Sequence, residues 1–178
     1  MSILRFFGLE PARGAAEGSP AETETVRRIT AALDRMEPER AKYIASFAYV
    51  LSRVARADMK ISPEELREME RIVMRIGGLP EEQAVLVVQI AKTQNTLFGA
   101  TENFLVTREF NRIASQEQKL ALLECLFAVC AADRSISVVE DNEISQIAAE
   151  LGIEHRDFIA MRLRFREHLE VLKDSRRL

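Results

Sequence analysis

Two short stretches of this chain are nearly identical, and the sequence on either side of them repeats as well. ADMKIS runs from Ala57 to Ser62 and ADRSIS from Ala132 to Ser137, so the second copy begins 75 residues after the first. In both copies a helical pattern leads into the turn and another follows it, closing on Gly77 and Gly152 respectively. A match of this length predicts a duplicated helix–turn–helix unit with pseudo-two-fold packing.

The rest of the sequence is dominated by apolar residues at a spacing of 3.6, with almost no alternating strand pattern. The apolar fraction of 47% is enough for a sizeable core. We predict an all-α fold, a single helical bundle of about eight helices built from two pseudo-symmetric helix–turn–helix halves. The predicted helices span about 24–36, 39–57, 63–76, 80–95, 100–114, 116–132, 138–151 and 155–171.

The N-terminal residues have a different composition. Residues 10–24 read EPARGAAEGSPAETE, a linker composition that offers no apolar face to a core. We therefore predict a flexible N-terminal tail over residues 1–23 and one folded domain over residues 24–178. The opening MSILRFFGL is too short for a secretory signal. Three interpretations of this segment remain open: a frayed terminus, a weak peripheral membrane contact and a docking peptide.

Charge and cysteine content limit the partners and the compartment. A net charge of −3 argues against nucleic acid, which usually selects a basic domain. Cys125 and Cys130 are five positions apart on one predicted helix and face different directions, which favours free thiols in the cytoplasm. No apolar run approaches the roughly 20 residues that a transmembrane helix needs.

Each acidic turn places an aspartate and a glutamate seven positions apart. Asp58 with Glu65, and Asp133 with Glu140, lie in phase with the apolar faces of their helices. A charge on a buried face requires a partner, a helix cap or a cation. Both copies also read S-x-x-E, the capping box, in which serine and glutamate close the start of a helix. Capping and cation binding therefore both remain open for the glutamates.

The pattern A-D-x-x-I-S-x-x-E, occurring twice in an all-helical chain, resembles the TerB (tellurite resistance) family. The larger superfamily includes the N-terminal domain of the DjlA co-chaperone. The resemblance implies a divalent metal held by acids at the motif positions Asp58, Glu65, Asp133 and Glu140. Oxygen ligands of this kind favour calcium, magnesium or manganese.

This likeness further implies a stress-response role or an interaction adaptor with a protein partner. The alternative is a metal-free, co-chaperone-like scaffold domain. Family members commonly carry glycine after the aspartate, whereas this chain carries Met59 and Arg134.

Other kinds of site find little support. DMKISP lacks the alternating oxygen ligands and the glycine of an EF-hand, and His155 and His168 lie 13 positions apart without a cysteine pair for zinc. No phosphate-binding glycine loop and no nucleophile–base pair is present, so we expect no enzyme. The basic stretch MRLRFRE, residues 161–167, is expected to form a solvated face.

Overall fold

A computed structural model describes residues 20–55, 62–93 and 103–174. These parts of the chain are helical, and no β-strand occurs in them. Nine helices lie within these ranges: α1 Pro20–Asp34, α2 Pro38–Val54, α3 Pro63–Arg75, α4 Glu81–Lys92, α5 Asn103–Ile113, α6 Gln116–Ala131, α7 Val138–Glu150, α8 His155–Arg164 and α9 Glu170–Asp174. The predicted all-α fold is confirmed.

Each of the eight predicted helices has a counterpart, with two differences at the ends of the chain. Helix α1 begins at Pro20, so residues 20–23 of the predicted tail are helical, and residues 1–19 lie outside the described part. Proline suits the first helical position because its fixed φ matches the helix and its missing N–H is not needed there. The single helix predicted over 155–171 is wrong, because α8 ends at Arg164 and a separate α9 begins at Glu170.

Helix α2 forms the centre of the bundle. Every residue from Tyr43 to Val54 is buried, and the helix packs against α1, α4, α5, α6 and α7. Near its start, the rings of Tyr43 and Phe47 meet the ring of Phe110 from α5, with centroids 5.3 and 6.1 Å away. A helix that is apolar on all sides can be stable only when other helices surround it.

The two helix–turn–helix units pack reciprocally. The first unit is α2 with α3, and the second is α6 with α7. Helix α2 packs against both helices of the second unit, and α6 packs against both helices of the first. This exchange is what a pseudo-two-fold arrangement requires. It brings the end of α2 and the start of α3 close to the end of α6 and the start of α7.

A glycine with positive φ follows the second helix of each unit. In the first unit this glycine lies one residue later than the sequence repeat predicts. Gly152 follows α7 with φ of 67°, whereas in the first unit the left-handed residue is Gly78, with φ of 66°, and not Gly77. The sequence alignment paired Gly77 with Gly152. Gly77 is instead tightly enclosed, since a Cβ there would lie 2.5 Å from the Val73 carbonyl oxygen and 3.2 Å from the Phe47 ring.

The structure also bears on the expectations for the cysteines and for membrane-spanning helices. Both cysteines are free and buried. Burial raises the pKa of the Cys125 thiol to about 12. Among the described helices, none combines the length and apolar character needed to cross a membrane.

Candidate functional site

The second acidic turn connects α6 to α7 in a tightly bonded loop. Asp133 Oδ1 accepts a hydrogen bond from Ser135 N at 3.2 Å, which closes a local turn. Between them, Arg134 has φ of 71°, in the left-handed region that favours glycine. The glycine that the family commonly has here therefore matches a conformational requirement of this turn.

A segment near the C-terminus holds this turn in place. Ile136 N donates to His168 O at 2.7 Å, and Glu170 N donates to Ile136 O at 3.0 Å. Ile136 and Leu169 are fully buried where the two segments pair. Ser135 Oγ also donates to Glu170 Oε1 at 2.8 Å. This pairing explains why α8 cannot continue to residue 171, and no sequence signal indicated it.

Capping boxes begin the helices that follow both acidic turns. Glu65 Oε2 accepts from Ser62 N at 2.6 Å, and Ser62 Oγ accepts from Glu65 N at 3.2 Å. Glu140 Oε2 accepts from Ser137 N at 2.8 Å, and Ser137 Oγ accepts from Glu140 N at 3.2 Å. The capping interpretation is therefore confirmed. In both glutamates the box uses Oε2, and Oε1 takes no part in it.

The helix ends of both units surround one cavity of about 550 Å³. Its floor includes Val54 and Ala55 from the end of α2, Met69 from α3, and Val129 with Cys130 from the end of α6. Among the described residues, the charged side chains that line it are Glu64, Glu65, Arg67, Glu68, Arg71, Asp133 and Glu140. Glu65, Asp133 and Glu140, three of the four predicted metal ligands, thus share one cavity that spans the two units.

The exposure of these carboxylates differs from what the sequence suggested. Glu65 and Asp133 are exposed and Glu140 is half-buried, so they lie at the rim of the cavity rather than on a buried face. Asp58, the fourth predicted ligand, lies outside the described residues, and its expected proximity to Asp133 stays a prediction. Among the residues that the structure does describe, no three carboxylate, imidazole or thiol groups are close enough together to hold a metal ion.

Cys130 lines the cavity and lies close to Glu140 and Asp133, the two candidate ligands of the second unit. Burial raises the pKa of its thiol, and the negative charge of Glu140 and a hydrogen bond to that carboxylate raise it further. The charge of Asp133 acts in the same direction. Cys130 therefore stays a neutral thiol at neutral pH, in contact with one candidate ligand and near another.

A buried arginine links α2 of the first unit to α7 of the second. Arg53, with a side chain only 2% exposed, donates from Nε to Glu143 Oε1 at 2.7 Å and from Nη1 to Glu150 Oε2 at 2.6 Å. Its Nη1 also reaches Thr107 Oγ1 at 2.8 Å. Sequence reasoning missed this residue, although a charge amid the continuous apolar run of α2 was a signal for it.

A second ion pair corrects the interpretation of the basic stretch. Arg162 does not lie on a solvated face: it binds Asp141 in a bidentate pair, with distances of 2.8 and 2.6 Å. This pair fastens α8 to α7, and the side chains of both residues are largely buried. Arg164 is more exposed and reaches Glu124 at 2.6 Å.

Comparison with protein families identifies a relationship that covers most of the described bundle. A family model described as Tellurite resistance protein TerB matches residues 43–163, which include both acidic turns and the helices around them. No curated protein and no solved structure matches the chain.

Proposed function

The chain belongs to the TerB family, and on that basis we propose a non-enzymatic acidic module that binds a divalent cation in the cytoplasm. Asp58, Glu65, Asp133 and Glu140 would supply the oxygen ligands, and calcium, magnesium or manganese would be the cation. Bound there, the cation would join the two helix–turn–helix units. The module would act in a stress response of the tellurite type, or as an interaction adaptor.

A comparison of the capping boxes carries this proposal. Of the described helices, α3, α6 and α7 begin with a capping box. At α6, which begins away from the cavity, the third position is Gln118, whose Oε1 accepts from Ser115 N at 2.8 Å. Glutamine is thus sufficient for capping in this fold. Charged glutamates occur in the two boxes that line the cavity, where a cation would make use of the charge.

A metal-free scaffold is the second candidate, and the apolar floor of the same cavity favours it. Val54, Met69 and Val129 would contribute nothing to binding a hard cation, but they would bury apolar side chains of a protein partner. Under this alternative, the two glutamates serve as helix caps only.

Replacing the glutamates with glutamine separates the two candidates. We predict that Glu65→Gln with Glu140→Gln changes the free energy of unfolding of the unliganded protein by less than about 1 kcal/mol, because glutamine also caps. The same variant should lose the rise in melting temperature that calcium, magnesium or manganese produces in the unmodified chain. Differential scanning fluorimetry of chelator-treated protein measures both effects.

The matched control is Gln118→Glu, which adds a carboxylate to the capping box outside the cavity and should produce no new response to cations. If millimolar cations leave the melting temperature of the unmodified chain unchanged, the cation proposal fails and the scaffold candidate stands. If the response survives in the double-glutamine variant, the glutamates are not ligands.

A further inference from the structure

The chain that follows α8 lies beside the second acidic turn, and we call residues 165–172 the C-terminal strap. It begins with tight turns, in which Phe165 N donates to Arg162 O at 3.1 Å and His168 N donates to Phe165 O at 2.9 Å. It then pairs in parallel with Ile136. The family match ends at residue 163, so the strap lies beyond the residues that the family model covers.

Apolar contacts hold the strap on the bundle along its length. The ring of Phe165 stacks on the ring of Phe127 from α6, with centroids 5.4 Å apart and an interplanar angle of 14°. Leu169 is fully buried, and Leu172 packs against the core. Because burial of a whole leucine side chain is a large contribution for one residue, Leu169 is the main anchor of the strap.

The strap is bonded to residues in the middle of the turn. Ile136 uses both of its backbone groups, since its N–H donates to His168 O at 2.7 Å and its carbonyl accepts from Glu170 N at 3.0 Å. Ser135 Oγ donates to Glu170 Oε1 at 2.8 Å. The backbone of the turn is therefore fixed by a segment that follows it by more than a whole helix.

These bonds act on both candidate ligands of the second unit. Ser135 N donates to Asp133 Oδ1 at 3.2 Å, so fixing Ser135 also orients that carboxylate. Ser137, which directly follows Ile136, closes the capping box with Glu140. The strap thus holds the short connection between Asp133 and Glu140.

The backbone of this connection is strained, which supports a functional role for it. Arg134 has φ of 71°. A non-glycine residue keeps such a conformation only where the surrounding contacts determine it, and residues of this kind concentrate at functional sites. The bonds from the strap to Ser135 and Ile136 supply contacts of this type.

We propose that the C-terminal strap positions the second acidic turn for cation binding, and that strap docking and cation binding reinforce each other. With the strap docked, Asp133 and Glu140 are held in place before the cation arrives, so binding requires less ordering. The coupling is reciprocal, because a cation on these carboxylates also stabilises the docked strap. The coupling rests on the proposed function, whereas positioning of the turn by the strap requires no cation.

Amide hydrogen exchange, measured by NMR on the chelator-treated full chain, tests the positioning. Leu169→Ala should raise the exchange rate of the Ile136 N–H several-fold relative to that of the Val50 N–H at the centre of α2, because the turn opens locally. The control is Leu122→Ala, which truncates a fully buried leucine of α6 and should not raise this ratio. An unchanged ratio in Leu169→Ala would overturn the proposal.

A milder pair of variants leaves the buried anchor intact. Glu167 and Glu170 are both exposed residues of the strap, and Glu170 is the one whose carboxylate accepts from Ser135 Oγ. Glu170→Ala should speed exchange of the Ser135 and Ile136 N–H groups, and Glu167→Ala should leave both rates unchanged. Equal effects of the two variants would show that the carboxylate of Glu170 does not position the turn.

Calorimetric titration with calcium, magnesium or manganese tests the coupling. Leu169→Ala should bind the cation several-fold more weakly than Leu122→Ala, and a saturating cation should slow exchange of the Ile136 N–H in the unmodified chain. Equal affinities of the two variants would overturn the coupling and leave the cation function standing. If no cation binds the unmodified chain, the cation function fails and the coupling with it, while the exchange ratio still decides whether the strap positions the turn.

Discussion

Arg134 shows how one backbone angle can explain a residue preference at the candidate site. Of the non-glycine residues that the structure describes, Arg134 has a positive φ, 71°. Side chains other than glycine cost about 1–2 kcal/mol in this region, because Cβ approaches the following carbonyl oxygen. Arg134 nonetheless has this backbone conformation, because hydrogen bonds fix the residues that follow it. Ser135 N donates to Asp133 Oδ1, and Ile136 N donates to His168 O.

The angle leads to a stability prediction. Arg134→Gly should stabilise the protein by about 0.5–1 kcal/mol, since removal of the Cβ strain exceeds the added freedom of the unfolded chain. Urea unfolding monitored by circular dichroism measures this as a higher midpoint at an unchanged slope. Arg134→Ala is the control, because it removes the same side-chain contacts and keeps Cβ. Equal effects of the two variants would show that those contacts, rather than φ, determine the stability.

At the scale of a single element, Gly77 and Gly78 follow α3 and have different structural roles. Gly78 is left-handed and a Cβ there would meet no atom within 4 Å, whereas a Cβ on Gly77 would clash with the Val73 carbonyl oxygen. The sulfur of Cys125 from α6 would lie 3.4 Å from the same Cβ. Gly77 thus permits the C-terminal end of α3 to approach α2 and α6 closely.

Asparagine substitutions at these neighbouring positions should separate close packing from backbone conformation. Gly77→Asn should lower the free energy of unfolding by at least about 2 kcal/mol, because overpacking forces the helices apart. Gly78→Asn should cost less than about 1 kcal/mol, because asparagine tolerates the left-handed region better than most residues. Chemical denaturation of the two variants gives the comparison. A larger loss at Gly78 would contradict the assignment of these roles.

On the scale of the whole molecule, the Arg53 network joins the two units through a buried charge. Burial alone would lower the pKa of the Arg53 guanidinium, but the carboxylates of Glu150 and Glu143 outweigh it and the pKa is raised. Burial alone would raise the pKa of Glu150, yet the hydrogen bonds from Arg53 and Gln146 hold it below its ordinary value of 4.5. Arg53 and Glu150 are therefore both charged at neutral pH.

The lowered pKa of Glu150 predicts how stability depends on pH. A carboxyl whose pKa is lower in the folded state stabilises the protein fully above the unfolded value of 4.5, and that contribution is lost as the pH falls through the folded pKa. Glu150→Gln should therefore cost about 1–3 kcal/mol near neutral pH and progressively less in acid. Urea unfolding at several pH values measures the difference.

Glu154→Gln is the control for this experiment. Glu154 forms a surface ion pair with Arg156, in which the two side chains are 63% and 79% exposed. Exposed pairs of this kind contribute little, so this variant should follow the unmodified chain at every pH. If the loss in Glu150→Gln were the same in acid as at neutral pH, ionisation of Glu150 would not be its cause.

The helical class, the duplicated unit and both capping boxes at the acidic turns could be predicted from the sequence, because they depend on interactions within a few residues. The spacing of 3.6 places apolar residues on one face, and Ser62 with Glu65 meets across a single helical turn. Membership of the TerB family was also visible in the repeated motif, and the match over residues 43–163 confirms it.

Tertiary structure alone decided which surfaces these local elements meet. Three contacts join residues that are far apart in the chain: the hydrogen bond from Ile136 N to His168 O, the ion pair of Arg53 with Glu150, and the close approach of Phe47 and Cys125 to Gly77. Helical phase suggested that Glu65 points into the core, but the reciprocal packing of the units leaves an open cavity there and exposes it. The periodicity of one helix specifies which face is apolar, whereas the shape of the space opposite depends on how several helices pack together.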